Sequence, residues 1–342
     1  MKTLAFALIA CAAFAQEQRP NIVNAKFESR AFSGDLAAQL RAAAPTWFAY
    51  AIKTTRKDHQ NCCWNNGNEC GCRLEGGWGP VTGVSASNTP IPLEGSDVVA
   101  VLFRVSNNDV GKIQVYSLSC PLDAGGLPFV WLTGVPAESS VDFLEKLVTG
   151  GSSTLNVDGP IFAIAQHDSA RADVALERLT RPTQPEKIRE KVTFWLGASR
   201  GASGVSALKK IMANDPSEHV RDKAVFALSI SKQPEALDSL IAAAKNDASS
   251  HVRGQALFWL AHKAGERASS TITNAIENDP DTGVKKRAVF ALSQLPQDEA
   301  VPKLIEIART QKNPEVRKQA FFWLGQSHDP RVLAFFEQVL VK

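Results

Sequence analysis

The sequence predicts a mainly α protein, an α-α superhelix with a 32-residue period that follows a small β-rich α+β domain. The first observation is a short string, FWLG, FALS or FWLA, that recurs every 32 residues from Phe194 to Phe322. The second is a column of basic residues at the same interval, each preceded by Ile or Val. A helical unit of this length cannot bury its apolar face alone, so the units are expected to stack into a solenoid.

Polar residues at a fixed position mark the start of one helix in each unit. Ser217, Ser249, Asp281 and Asn313 share the 32-residue spacing. All are preferred N-cap residues, whose side-chain oxygen accepts an otherwise unpaired backbone N–H. Pro314 then begins a helix where its missing N–H costs nothing. This column predicts the second helix of each unit over residues 186–199, 218–231, 250–263, 282–294 and 314–326.

The composition changes near residue 156, where Cys, Gly and β-branched residues give way to Ala-rich and Leu-rich patterns. We therefore expect an N-terminal domain over residues 16–156 and the repeat array over residues 157–342. Phe162 lies one period before Phe194, which predicts an opening helix of the array. An apolar pattern after Asp329 predicts a closing helix.

The N-terminal domain carries more strand patterns than helical ones. Runs of β-branched and aromatic residues predict strands over residues 46–54, 98–105, 112–119 and 129–132. The turn residues between the second and third runs predict a hairpin. Helical spacing predicts a helix over residues 35–44, ended by Pro45, and another that begins at Pro136.

The array resembles a known repeat family. Val220, Arg221, Ala224, Ala227 and Leu228, with their equivalents in the other units, resemble HEAT repeats of the short kind found in phycobilisome-lyase-like proteins. The whole arrangement is similar to exported bacterial HEAT proteins. The resemblance implies a HEAT-type solenoid in which Asp and Arg columns form a hydrogen-bonded ladder between neighbouring repeats. The ladder residues are Asp215, Arg221, Asp247, Arg253, Asp279, Lys285 and Arg317.

The first 15 residues have the pattern of a secretory signal peptide. Lys2 precedes an apolar run that ends in an Ala-Phe-Ala site before Gln16. The mature chain is therefore expected to be periplasmic or secreted. The alternative is a lipobox that ends in Cys11, which would then become a lipid-anchored N-terminus.

The cysteines cluster in the N-terminal domain. Because thiols are usually oxidised outside the cytosol, we interpret Cys62, Cys63, Cys70, Cys72 and Cys120 as disulfide-forming. Strain disfavours bonds within the two close pairs, so bonds between the clusters or to Cys120 are expected. A zinc site with His59 is the alternative, but structural zinc sites usually have two to four residues between paired ligands.

Two aromatic columns run through the units. Phe194, Phe226, Phe258, Phe290 and Phe322 lie on a face flanked by polar residues, which predicts a partner-binding stripe along the inner surface. The alternative is that each Phe fills the gap between adjacent second helices. Trp195, Ala227, Trp259, Ala291 and Trp323 alternate with a 64-residue double period. We place this second column on the core face, with a Trp platform for a sugar or peptide as the alternative.

These observations favour a protein that works by binding. The net charge of +3 does not favour a nucleic-acid or membrane surface. Catalytic triads, phosphate-binding loops and EF-hand loops are absent from the sequence. We predict a non-enzymatic, exported scaffold that binds a protein or peptide, with no cofactor and no metal site. The alternative is a thiol-dependent or metal-dependent enzyme, or a redox carrier, centred on the cysteines.

Overall fold

A computed structural model describes residues 19–56, 61–62, 64–65, 70–76, 97–150, 155–263 and 265–340. Contacts divide the chain into two compact units. The first comprises the chain up to Phe143 together with Ser152–Gly159. The second comprises Leu144–Gly151 and the chain from Pro160 onward.

The first unit contains two sheets. Its elements are β1 (Ile22–Val23), β2 (Lys26–Ala31), α1 (Leu36–Gln39), β3 (Thr46–Lys53), β4 (Trp64–Asn65), β5 (Cys70–Arg73), β6 (Val98–Ser106), β7 (Asp109–Ser117), β8 (Leu122–Asp123) and β9 (Pro128–Thr133). The five-stranded sheet has the order β2-β9-β3-β6-β7, and the four-stranded sheet has the order β1-β8-β5-β4. In the larger sheet β2, β9 and β3 run parallel, while β3, β6 and β7 are antiparallel.

The core of this unit lies on one face of the five-stranded sheet. Trp47 and Trp131 from that sheet pack with Cys72, Leu74 and Leu122 from the smaller one, and all are buried. The opposite face is covered by the start of α2 (Ala137–Thr149), where the Tyr50 hydroxyl lies 2.7 Å from Ser140 Oγ. Burial of this hydroxyl raises the pKa of Tyr50 well above its ordinary value.

The predicted hairpin is confirmed, and its turn explains the sequence. Asn107 and Asn108 join β6 to β7 with φ of 52° and 59°, a left-handed pair that asparagine tolerates and that suits a two-residue hairpin loop. The helix predicted over residues 35–44 is wrong beyond its first turn, because α1 ends at Gln39. The carbonyls of Ala42 and Ala43 instead accept the N–H groups of Asn108 and Asn107 at 2.9 and 3.0 Å, which holds this segment non-helical.

The array confirms the predicted fold class. Its helices are α3 (Asp158–Gln166), α4 (Ala170–Leu179), α5 (Glu186–Ser199), α6 (Gly201–Asn214), α7 (Glu218–Ile230), α8 (Glu235–Asn246), α9 (Ser250–Lys263), α10 (Gly265–Asn278), α11 (Thr282–Ser293), α12 (Gln297–Thr310), α13 (Pro314–Gly325) and α14 (Pro330–Leu340). The second helices α5, α7, α9, α11 and α13 agree with the predicted spans to within one residue. None of the helices described is long and apolar enough to cross a bilayer.

The N-cap column accounts for these helix starts. Ser217 Oγ accepts the Val220 N–H at 3.3 Å, and Asp281 Oδ1 accepts the Val284 N–H at 3.0 Å. Ser249 and Asn313 cap α9 and α13 in the same way. The predicted caps are therefore confirmed.

Neighbouring second helices pack closely side by side, whereas neighbouring first helices are further apart. A row of units with one tight edge and one loose edge must curve toward the tight edge. The second helices therefore line the concave side of the array.

Candidate functional site

A ladder of buried ion pairs joins neighbouring units. Arg189 Nε and Nη2 donate to the two Asp215 carboxylate oxygens at 2.8 and 3.1 Å. Arg221 with Asp247 and Arg253 with Asp279 repeat this two-bond geometry, with distances from 2.8 to 3.1 Å. We call these three pairs the ion-pair ladder. In each, the Arg of one unit's second helix reaches the Asp that follows the next unit's first helix.

Each Asp of the ladder also fixes its own turn. Asp215 Oδ1 accepts the N–H of Ser217 at 2.9 Å, and Asp247 Oδ1 accepts that of Ser249 at 2.8 Å. One carboxylate therefore sets both the turn inside a unit and the contact between units. Buried charges are retained only when they are paired in this way.

The ladder changes at the C-terminal end, where the sequence prediction was incomplete. Gln311 stands where Asp would follow by the period, and its Oε1 accepts the Asn313 N–H at 3.2 Å. Lys285 donates to the Glu277 carbonyl at 2.6 Å. Arg317 donates to the Gln311 carbonyl of its own unit at 2.8 Å. The predicted ladder residues Lys285 and Arg317 thus bond to carbonyls, because the carboxylate they would require is replaced by an amide.

The aromatic columns meet in one continuous row along the second helices. We define the aromatic row as Phe162, Trp195, Phe194, Phe226, Trp259, Phe258, Phe290, Trp323 and Phe322. Successive rings in this order have centroids 4.4 to 6.3 Å apart. Rings at these separations attract one another beyond the effect of area burial.

The alternation of Trp and Ala decides which ring each Phe meets. Where the next unit carries Trp, the Phe packs on that indole, as Phe226 does on Trp259 at 5.1 Å. Where the next unit carries Ala, the Phe stacks on the next Phe, as Phe194 does on Phe226 at 6.3 Å with 17° between planes. The 64-residue period is thus a period of contact type.

The aromatic row is only half-buried. Phe194 is 38% exposed and Phe322 is 53% exposed, and the remaining Phe rings of the row are intermediate. Both interpretations of the Phe column are therefore partly realised, since each Phe packs between second helices and still presents an edge to solvent. The core-face placement of the Trp residues was wrong. Ala227 and Ala291 are fully buried, but the larger indoles are half-buried and turn toward the Phe column.

Polar side chains flank the row and also pair between units. His219 Nε2 lies 3.4 Å from Glu190 Oε2, and His251 Nε2 lies 3.5 Å from Asp222 Oδ1. At the equivalent C-terminal position Lys286 lies 4.0 Å from Glu315. The row therefore has an apolar centre and a charged border.

The spread of the first helices leaves a groove that the sequence did not reveal. It lies between α6 and α8, has a volume of about 710 Å³ and is lined by Met212, Ala243, Lys209 and Asp238 among others. The Arg221–Asp247 pair forms part of its wall. Small residues on facing helices could have indicated a gap, but the spacing of the helices could not be known from the sequence.

The cysteines lie in the first unit. Cys62 is bonded to Cys120, which is a bond to Cys120 of the kind expected from the sequence. Cys72 is disulfide-bonded as well. Cys63 and His59 lie outside the described residues, and Cys70 belongs to β5. Among the residues described, no group of three or more His, Cys, Asp or Glu side chains could hold a metal ion.

Comparison with known proteins identifies the repeat. Residues 172–261 and 269–342 match the family described as HEAT repeats. The chain is a HEAT-repeat protein. No curated protein shows a significant sequence match to it.

Solved structures with similar folds include several helical arrays. A chain of the CpcE–CpcF complex of phycocyanin lyase from Nostoc sp. PCC7120 is 22% identical, with 46% of this chain and 100% of that chain covered and a TM-score of 0.35. Human deoxyhypusine hydroxylase is 20% identical over 60% of this chain and 78% of that chain, with a TM-score of 0.26. Kap95p, from a complex with RanGDP, is 13% identical over 60% of this chain and 34% of that chain, with a TM-score of 0.34. These likenesses concern the fold alone.

Proposed function

We propose that this HEAT-repeat protein is a non-enzymatic interaction scaffold that binds a protein or peptide along the aromatic row. The observation that supports this is the half-buried state of the row. Rings needed only for the core would be covered, whereas Phe194 and Phe322 are 38% and 53% exposed. Contiguous exposed apolar surface of this kind marks interaction sites.

The chemistry of the row defines the partner that suits it. Its rings offer flat apolar surface on rigid helices, so binding costs little side-chain entropy. The paired charges beside it, such as His219 with Glu190, form a polar border of the kind that surrounds protein interfaces. A partner that presents apolar or aromatic side chains in an extended segment fits this surface, because it can contact successive units.

Substitution of the exposed rings tests the proposal. Peptides selected for binding to the full chain serve as probes, and affinities are measured by titration calorimetry. Phe194→Ser and Phe322→Ser, singly and together, are expected to weaken binding about tenfold or more, since aromatic anchors dominate such interfaces. Val174→Ser with Leu333→Ser is the matched control, because these side chains are 51% and 65% exposed but lie outside the row.

The outcomes of this experiment are distinct. Equal loss of affinity in the control and in the row variants would contradict a binding role for the row. Loss of helicity in the Phe variants, measured by circular dichroism, would show that the rings serve the core. Unchanged binding in the row variants would place the interface elsewhere.

We further propose that the scaffold acts outside the cytosol. The Cys62–Cys120 bond supports this, because disulfides persist in oxidising compartments. Mass spectrometry of the mature protein is expected to find Gln16 as its first residue. A lipid-modified Cys11 would instead support an anchored form, and an intact Met1 would contradict export.

A further inference from the structure

Three cysteine sulfurs lie close together in the first unit. Cys62 and Cys120 form a disulfide, and Cys72 Sγ lies 3.9 Å from Cys120 Sγ. Cys72 is itself disulfide-bonded. Two disulfides are therefore in van der Waals contact through Cys72 and Cys120.

The backbone holds this contact in place. Cys72 lies in β5, whose pairing with β8 sets Cys72 opposite Leu122. The Cys72 N–H donates to the Pro121 carbonyl at 2.8 Å, next to Cys120 in the chain. Both Cys72 and Cys120 are fully buried in the core with Trp47 and Trp131. The two sulfurs cannot drift apart without breaking the sheet.

Cys62 differs from these two in its access to solvent. It is only partly buried and packs at the margin of the core. Asn61 beside it is tied to Ser117 by two hydrogen bonds, of 2.8 and 3.0 Å. An external thiolate can therefore reach Cys62, whereas Cys72 and Cys120 are shielded.

We propose that Cys62 is a covalent capture site for thiol ligands, in which Cys72 prevents release. In the first step the ligand thiolate attacks Cys62 Sγ. The ligand–Cys62 bond forms, the Cys62–Cys120 bond breaks, and Cys120 leaves as a thiolate. Attack at the exposed sulfur follows the usual control of exchange by access.

In the second step the Cys120 thiolate attacks Cys72 Sγ. A Cys72–Cys120 bond forms, and the cysteine previously bonded to Cys72 leaves as a thiolate that takes a proton from solvent. Each step exchanges one disulfide for another, so no oxidant or reductant is consumed. Because the attacking and attacked sulfurs start 3.9 Å apart, the step is intramolecular and favoured by proximity.

The second step gives the site its function. Without it, the buried Cys120 thiolate would attack Cys62 again and expel the ligand. Burial disfavours a thiolate, so transfer of the charge from Cys120 to a cysteine that solvent can protonate draws the exchange forward. The ligand then stays attached to Cys62.

Reaction of the full-length protein with reduced glutathione tests the proposal. After thiols are blocked with N-ethylmaleimide, non-reducing peptide mapping is expected to show glutathione on Cys62 together with a new Cys72–Cys120 linked peptide. A single-cysteine unstructured peptide, used in parallel, shows whether a protein thiol also has access. Labelling by both thiols defines a general site, and labelling by glutathione alone restricts it to small thiols.

The matched variant removes the second step. In Cys72→Ala, glutathione on Cys62 at steady state is expected to fall about tenfold, because Cys120 expels it again. Equal labelling in this variant would overturn the proposal. Should the variant fail to fold, the wild-type map still decides, since glutathione on Cys62 without a Cys72–Cys120 peptide contradicts the mechanism.

Discussion

The array joins its units in two ways that differ in burial and in chemistry. The ion-pair ladder is almost fully enclosed, with side chains of Arg189 and Asp215 that are 6% and 1% exposed. The aromatic row keeps its rings half in solvent. A buried ion pair is weak evidence for net stability, but losing one partner is costly. The ladder is therefore specialised for register, and the row retains apolar surface for contact with other molecules.

The largest effect is expected from breaking one pair of the ladder. Asp215→Ala leaves the Arg189 guanidinium buried and unpaired, which costs about 3–5 kcal/mol. Urea unfolding followed by circular dichroism measures this change. Glu177→Ala is the matched control, because its pair with Lys210 is 52% and 57% exposed and should contribute about 1 kcal/mol or less. Similar costs for both variants would contradict the distinction between the buried ladder and surface pairs.

A smaller loss is expected from the aromatic row. Trp259→Ala removes the indole that packs on Phe226 at 5.1 Å, and we expect a cost of about 2 kcal/mol because the ring is half-buried. A double-mutant cycle with Phe226→Leu should give a coupling energy of about 1 kcal/mol. Additive effects would mean that the two rings do not stabilise each other.

Acid should weaken the ladder and leave the row unaffected. Burial alone would raise the pKa of Asp279, but the hydrogen bonds and charge of Arg253, with the Asp281 N–H and Lys285, hold that pKa below its ordinary value. A lowered folded-state pKa stabilises the fold above the unfolded value of about 3.9, and this stabilisation is lost as the pH falls through the folded value.

The variant Asp279→Asn tests this pH dependence by unfolding between about pH 7 and about pH 2.5. The difference in unfolding free energy between wild type and Asp279→Asn should shrink as the pH falls below about 4. Phe258→Leu is the control, because its cost should be the same at every pH. A constant difference for Asp279→Asn would show that its carboxylate contributes nothing as a charge.

The smallest effect is expected from extending the ladder. Lys285→Arg with Gln311→Asp recreates the residue types and the 26-residue separation found in Arg253 and Asp279. Because both positions are only partly buried, we expect a gain of about 0.5–1 kcal/mol. Either substitution alone should give no gain. An unchanged double variant would mean that this junction has a geometry different from the other three.

The sequence predicted the array well because its signals are local. A fixed period and a column of N-cap residues determine the helices α5 to α13 without knowledge of long-range contacts. The same period brought Arg221 and Asp247 to notice through a resemblance. Gln311 was missed because an amide breaks the pattern of the Asp column while keeping its role in the turn.

The remaining features depend on contacts between distant residues. The pairing of β2 with β9 and of β5 with β8 joins strands far apart in sequence, and no local pattern specifies it. The bond between Cys62 and Cys120 spans 58 residues, so spacing could narrow the choice but could not fix it. The tilt of the Trp259 ring toward Phe226 follows from the volume of the core, which the sequence does not give directly.

The alternation of Trp and Ala has a consequence for how such an array can change in length. Removal of a single unit would bring two Trp units, or two Ala units, into adjacency and leave one Phe with the wrong neighbour. Removal or duplication of two consecutive units preserves every ring contact. The elementary building block of this protein is therefore a tandem of two helical hairpins, and lengthening or shortening by recombination should be tolerated in even steps.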